Sequence, residues 1–150
     1  MNRFRRNGRH GQSLVEFALV LPIFMLLMFG IIDGGRLVFA NNDMAQSTRN
    51  VARVASTTCF TTTPACDRTS GAIAAAIAAQ GSGMLVSPTW TVACVDPATS
   101  LARTNNGLDV CKVGDLVRVT LSSPFVFVTP VASSFGPVTV ASKTEQEILQ

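Results

Sequence analysis

From Leu14 to Ile32 the chain is apolar at almost every position, interrupted only by Glu16, Pro22 and the small residues Ala18 and Gly30. No polar stripe recurs along it, so the pattern predicts a helix that is apolar all round. At about 1.5 Å per residue its length matches one crossing of the bilayer hydrocarbon. Pro22 is expected to kink that helix or free one backbone carbonyl, which membrane helices tolerate. Past Asp33-Gly34-Gly35 the rhythm changes. Leu37, Met44, Val51 and Ala55 fall on one helical side, and Asn42, Gln46, Arg49 and Arg53 on the other. The two patterns together predict one helix over about residues 13–56 with a soft point at 33–35.

The pattern then shortens. Ser70 suits an N-cap, Ile73 and Ile77 share a face, and Gly81 suits a stop, which predicts a short second helix. TWTVACV (89–95) alternates, GDLVRVTL (114–121) alternates less cleanly, and PVTVAS (137–142) reads as a third strand. Asn105-Asn106-Gly107 marks a turn. The apolar, proline-marked span 124–137 fits either a loop over the core or a contact surface. The fold class expected is α+β: a long N-terminal helix carrying a small head with a short helix and an antiparallel sheet of about three strands.

Charge refines the picture at the N-terminus. The net charge of +3 over 150 residues is concentrated at Arg3, Arg5, Arg6 and Arg9, ahead of the apolar run. With few positive charges just after the run, the leader is expected in the cytoplasm and the head outside it. The remainder is near neutral and presents no basic nucleic-acid face. The implied segments are a basic leader (1–11), a membrane-spanning part (12–35), an amphipathic continuation (36–56) and an extracytoplasmic head (57–150), anchored in the cytoplasmic membrane.

Cys59, Cys66, Cys94 and Cys111 all follow the apolar run. Four cysteines in a small exported domain suggest two disulfides, with three pairings open. A Cys94–Cys111 link would staple a hairpin, and Cys59 with Cys66 could close a small loop. Zinc would want C-x2–4-C spacing and often histidine, whereas His10 precedes the apolar run. Asp96, Asp109 and Asp115 lie in turn-like segments, where they are usual without a metal. No nucleophile–histidine pair and no glycine-rich phosphate loop is present, so no catalysis, cofactor or small-molecule substrate is expected. Trp90 reads as core, and Arg49 and Arg53 as a solvated face. Gly30 and Gly34 form a small-xxx-small pair of the kind that occurs in membrane helices with or without a packing role.

The stretch GQSLVEFALVLP (11–22) carries the strongest signal. An acid inside an apolar run costs about 2.5–3.5 kcal/mol at the centre of a membrane helix, less near its end, and usually has a function. Gly11 directly precedes a polar pair, then come Glu16, Phe17 and the long apolar run with Pro22. This resembles the class III signal of type IV pilin-like proteins, cut by a prepilin peptidase after the glycine. Together with QSTRNVARVAS (46–56), it is similar to the TadE-like family, the pseudopilins of tight-adherence (Flp-type) pili. The resemblance covers about residues 8–56. It implies processing between Gly11 and Gln12, and partners among other pilin-like subunits and the secretion platform. Counted from Gln12, Glu16 becomes the fifth residue. The new α-amino group would then sit one helical turn from the acid. The competing reading is an extracytoplasmic binding domain with an ordinary signal peptide or anchor.

Overall fold

A computed structural model describes residues 10–59, 71–80, 85–105, 108–109, 111–134 and 136–148. The elements run α1 (His10–Thr58), α2 (Gly71–Ala79), β1 (Thr89–Val95), β2 (Thr104–Asn105), β3 (Leu108–Asp109), β4 (Leu116–Phe125), α3 (Pro130–Ser133) and β5 (Val138–Glu147). The α+β expectation is borne out: one long helix, a short one against it and a three-stranded antiparallel sheet. The arginine-rich leader, the expected Ser70 cap, the Gly81 stop and the Asn106-Gly107 turn lie outside the described residues.

Helix α1 is 49 residues long, about 73 Å at 1.5 Å per residue. It passes through Asp33-Gly34-Gly35, the expected soft point, without a break. A glycine in a helix interior costs about 1 kcal/mol relative to alanine, which contacts at Asp33 described below can offset. The C-terminal half of α1 packs on the sheet. Ala40, Met44, Ser47, Thr48, Val51, Ala52, Ala55 and Cys59 are buried at helical spacing, while Asn42, Gln46, Arg49 and Arg53 stay exposed.

The sheet order is β1-β4-β5. In β4 every second residue, from Val117 to Phe125, is buried. Val117 and Val119 meet Val92 and Cys94 of β1, Val51, Ala52 and Ala55 of α1, and Ile73 of α2 in one core, and Leu121 is buried as well. Full burial of a side chain such as Leu121 contributes about 1.5–3 kcal/mol. Strand β5 turns hydroxyls toward the helix: buried Thr48 Oγ1 lies 2.9 Å from Thr144 Oγ1 and 3.2 Å from Ser142 Oγ. These bonds satisfy polar groups that would otherwise be costly to bury.

The two later strands run further than their local patterns predicted. The second, expected over 114–121, begins at Leu116 and continues through Pro124 to Phe125. Pro124 is tolerated because β1 pairing ends at Thr89↔Ser122, so its missing N–H faces no partner strand on that side. The third, expected over 137–142, extends to Glu147. Its charged end is held by cross-strand chemistry. Arg118 lies directly opposite Glu145, with Nε 2.7 Å from Oε1, and Lys143 Nζ sits 2.8 Å from the same oxygen.

A disulfide joins Cys94 of β1 to Cys111 ahead of β4, with Cα atoms 5.3 Å apart. It closes the connection that contains the small β2–β3 hairpin. Arg103 in that connection bonds Asp96 at 2.7 Å and reaches buried Asp115 at 3.1 Å as an ion pair without hydrogen-bond alignment. Cys59 is also disulfide-bonded, and Cys66 lies outside the described residues.

Candidate functional site

Residues 11–32 of α1 are exposed without exception. Their side chains are among the largest apolar ones in the chain, including Phe17, Phe24, Leu27 and Ile31. A helix of this length and hydropathy fits membrane anchoring, since nothing among the described residues covers it. Pro22 lies inside it, and the helix continues on both sides.

The motif residues all sit on this exposed half. A Cβ placed on Gly11 would meet nothing within 4 Å. Gln12 Nε2 donates a 3.2 Å hydrogen bond to Glu16 Oε1, one turn further on. The side-chain amide therefore holds the carboxylate on the helix face that leads back to residue 12. The structure does not bring the cysteines to this site. Glu16 is 17 residues before Asp33, about 25 Å along the axis, and the disulfides belong to the head beyond it.

Sequence reasoning missed the other end of the apolar run. Asp33 directly follows Ile32 and is buried, 95 residues before the segment that buries it. Its Oδ1 accepts the backbone N–H of Val128 at 3.0 Å, and its Oδ2 accepts the backbone N–H of Thr129 at 3.0 Å. The Thr129 hydroxyl also donates to Oδ2. Arg36, one turn on, places Nη1 3.3 Å from Oδ1 and donates to the Val126 carbonyl at 3.5 Å. Its guanidinium stacks 5.4 Å from the centroid of Phe125, which meets Phe127 edge to face at 5.3 Å. A buried carboxylate is retained only when paired and hydrogen-bonded, and Asp33 is both.

The local reason is readable in hindsight. Thr129-Pro130 starts α3, with Thr129 as its N-cap and proline at the first helical position, so amides at this point need an outside acceptor. The acid at the end of an apolar run, with arginine three residues later, was the available signal. The span 124–137 is therefore divided. Pro124 and Phe125 finish β4, and residues 126–134 form a strap latched onto α1.

Residues 11–53 match the family model described as TadE-like protein. Over this stretch the chain is similar to that family. The TadE-like match takes in the exposed half of α1, the Asp33 latch and most of the half buried against the sheet, and ends before every strand. No curated protein and no solved structure matches the chain. Among the described residues, no group of three His, Cys, Asp or Glu side chains is placed to hold a metal ion.

Proposed function

We propose that the chain is a minor pilin-like subunit, a pseudopilin, that takes part in assembling a tight-adherence (Flp-type) pilus. In this reading it is inserted in the cytoplasmic membrane with its head outside. A prepilin peptidase cuts it between Gly11 and Gln12. It then joins other pilin-like subunits at the secretion platform, in a structural and not an enzymatic role.

The observation that supports it is the pairing of Gln12 with Glu16 on an otherwise apolar helix within the TadE-like stretch. Among the described residues, the partner of Glu16 before cleavage is the neutral side-chain amide of Gln12. Scission after Gly11 converts Gln12 into a terminus whose amine titrates near pH 7.7–8.0 in reference peptides, so it is mostly protonated at physiological pH. That cation lies within one turn of the acid, in the same helix or in a staggered neighbour. Leaving a carboxylate unpaired in a low-dielectric setting is costly, so pairing favours processed partners in the correct stagger. The substantial head after residue 58 suits a minor subunit better than a bare helical fibre subunit.

N-terminal sequencing of protein extracted from membranes should find a start at Gln12. A start at Met1 or Asn2 would describe an uncut anchor, and a start near residue 35 a secreted domain; either would remove this reading. Glu16→Ala should insert normally yet lose most recovery with pilin-like partners in co-purification.

A further inference from the structure

We infer that residues 126–134 make a second contact with the bilayer, lying as a strap in the interfacial layer of the leaflet nearest the head. The strap contains no charged residue. Its height is fixed by the Asp33 latch: the amides of Val128 and Thr129 bond a carboxylate one residue past the end of the exposed apolar run. A segment held there is level with the point where the helix leaves the hydrocarbon.

At its latched end the exposed side chains are apolar, Val126 and Val128, while the exposed residues at its far end, Ser133 and Ser134, are polar but uncharged. Val126 is 50% and Val128 59% exposed, and Ile31 and Ile32, the last residues of the apolar run, are exposed as well. Between strap and helix lies an open cleft of about 390 Å³, lined by Leu26, Gly30 and Leu37 on one side and Phe127 and Ala132 on the other. Leu26 is seven residues before Asp33, about 10 Å deeper along the axis, so the cleft extends into the membrane-spanning part. A Cβ on Gly30 or Gly34 would meet nothing within 4 Å, which leaves room for a lipid acyl chain beside them. Asp33 and Arg36 neutralise each other at this level, 3.3 Å apart, so the latch presents no net charge to the lipid. The apolar surface is thus continuous from helix to strap, and the occupant that already surrounds the helix covers both. The head is consequently held at a set orientation to the membrane and does not swing on a tether.

The inference rests on residues 14–32 spanning a bilayer and not on the pilus reading. The full chain, one copy per lipid nanodisc, is tested with single added tryptophans and lipids brominated at shallow or mid-chain carbons. The parent protein supplies the Trp90 baseline. Val128→Trp, and independently Val126→Trp, should lose half or more of the added emission to shallow bromines. Leu101→Trp should lose none: Leu101 is 68% exposed near the Leu116 end of β4, about 30 Å from Phe125 at 3.3 Å per residue. Phe24→Trp should be quenched best by mid-chain bromines. If Phe24→Trp is quenched while both strap variants behave like Leu101→Trp, the strap contact is wrong and the span stands. An unquenched Phe24→Trp removes both. A blue shift of the strap variants without quenching, appearing only with two or more chains per disc, would assign the face to a second copy and overturn the lipid contact.

Discussion

One helix serves two surroundings. Residues 11–32 and 40–58 of α1 share the same backbone conformation, yet the first stretch has every side chain exposed and the second buries Ala40, Met44, Val51, Ala52 and Ala55, with buried Cys59 just past its end. The first is large and apolar all round. The second is a stripe of Ala, Val, Ser and Thr with Met44 among them, backed by Asn, Gln and Arg. In lipid a helix satisfies its own backbone and draws its apolar environment from outside the chain. In the head the environment is the sheet, and residues must be small enough to let β4 and β5 approach. Asp33, bonded to the strap and to Arg36, marks the change from one to the other.

That contrast breaks most sharply at matched methionines. Met44 is fully buried and Met28 is exposed. Met44→Ala should destabilise the head by about 2–5 kcal/mol, the range for large-to-small core changes. Met28→Ala should leave head unfolding unchanged. Thermal unfolding followed by Trp90 fluorescence in detergent reads both. Equal effects would mean that the two halves are not separate environments.

Next in size is the Cys94–Cys111 bridge, which separates residues 17 apart in sequence. Replacing both cysteines by alanine should cost the head about 3 kcal/mol, as expected for a closed loop of that length. The same variant should insert in membranes as before, measured by carbonate extraction.

Asp33→Ala tests the junction. It strips the acceptor from two backbone amides and a hydroxyl, at about 1–3 kcal/mol for buried groups left unsatisfied. Because these groups belong to the strap, hydrogen exchange at Val128 and Thr129 should speed up strongly while β4 and β1 keep their protection. Uniformly faster exchange would show that the latch holds the whole head, not its edge.

How much of this was readable beforehand follows from the range of the forces involved. Periodicity is local, so the long helix, the short helix and three strands were visible in patterns of neighbouring residues. Gly11, Gln12 and Glu16 were also a local motif, and the structure adds the hydrogen bond between the last two. Pro124 hid the end of β4, because whether a proline disrupts a strand depends on where the neighbouring strand stops. Asp33 was hidden for a stronger reason. Beside two glycines it resembles a break, and its partner Thr129 is 96 residues away. No local pattern reports such a pairing; it exists only once the sheet has brought Phe125 beside the helix.

The smallest expected effect separates the halves by acid. Glu145 lies on the outer face of β5, and its carboxyl is held below the ordinary value of 4.5, first by the hydrogen bond from Lys143 and then by the one from Arg118. A depressed folded-state pKa means that the pairing stabilises the head at pH above the unfolded value and that this support is lost as pH falls through the folded one. The window is therefore below about pH 4.5. The group is about one-third exposed, so solvent screening keeps the contribution small. Glu145→Gln should flatten the decline of head stability between about pH 5 and pH 3 without changing it at about pH 7 by more than the loss of a surface pair. High salt should have a similar flattening effect on the parent protein, because it weakens the same attraction. Recovery of the α1 signal from membranes should not respond to either change, since Glu145 touches nothing in residues 11–32. If Glu145→Gln left the acid decline of the head as steep as before, the cross-strand triad would not be among the contacts that hold the polar end of β5.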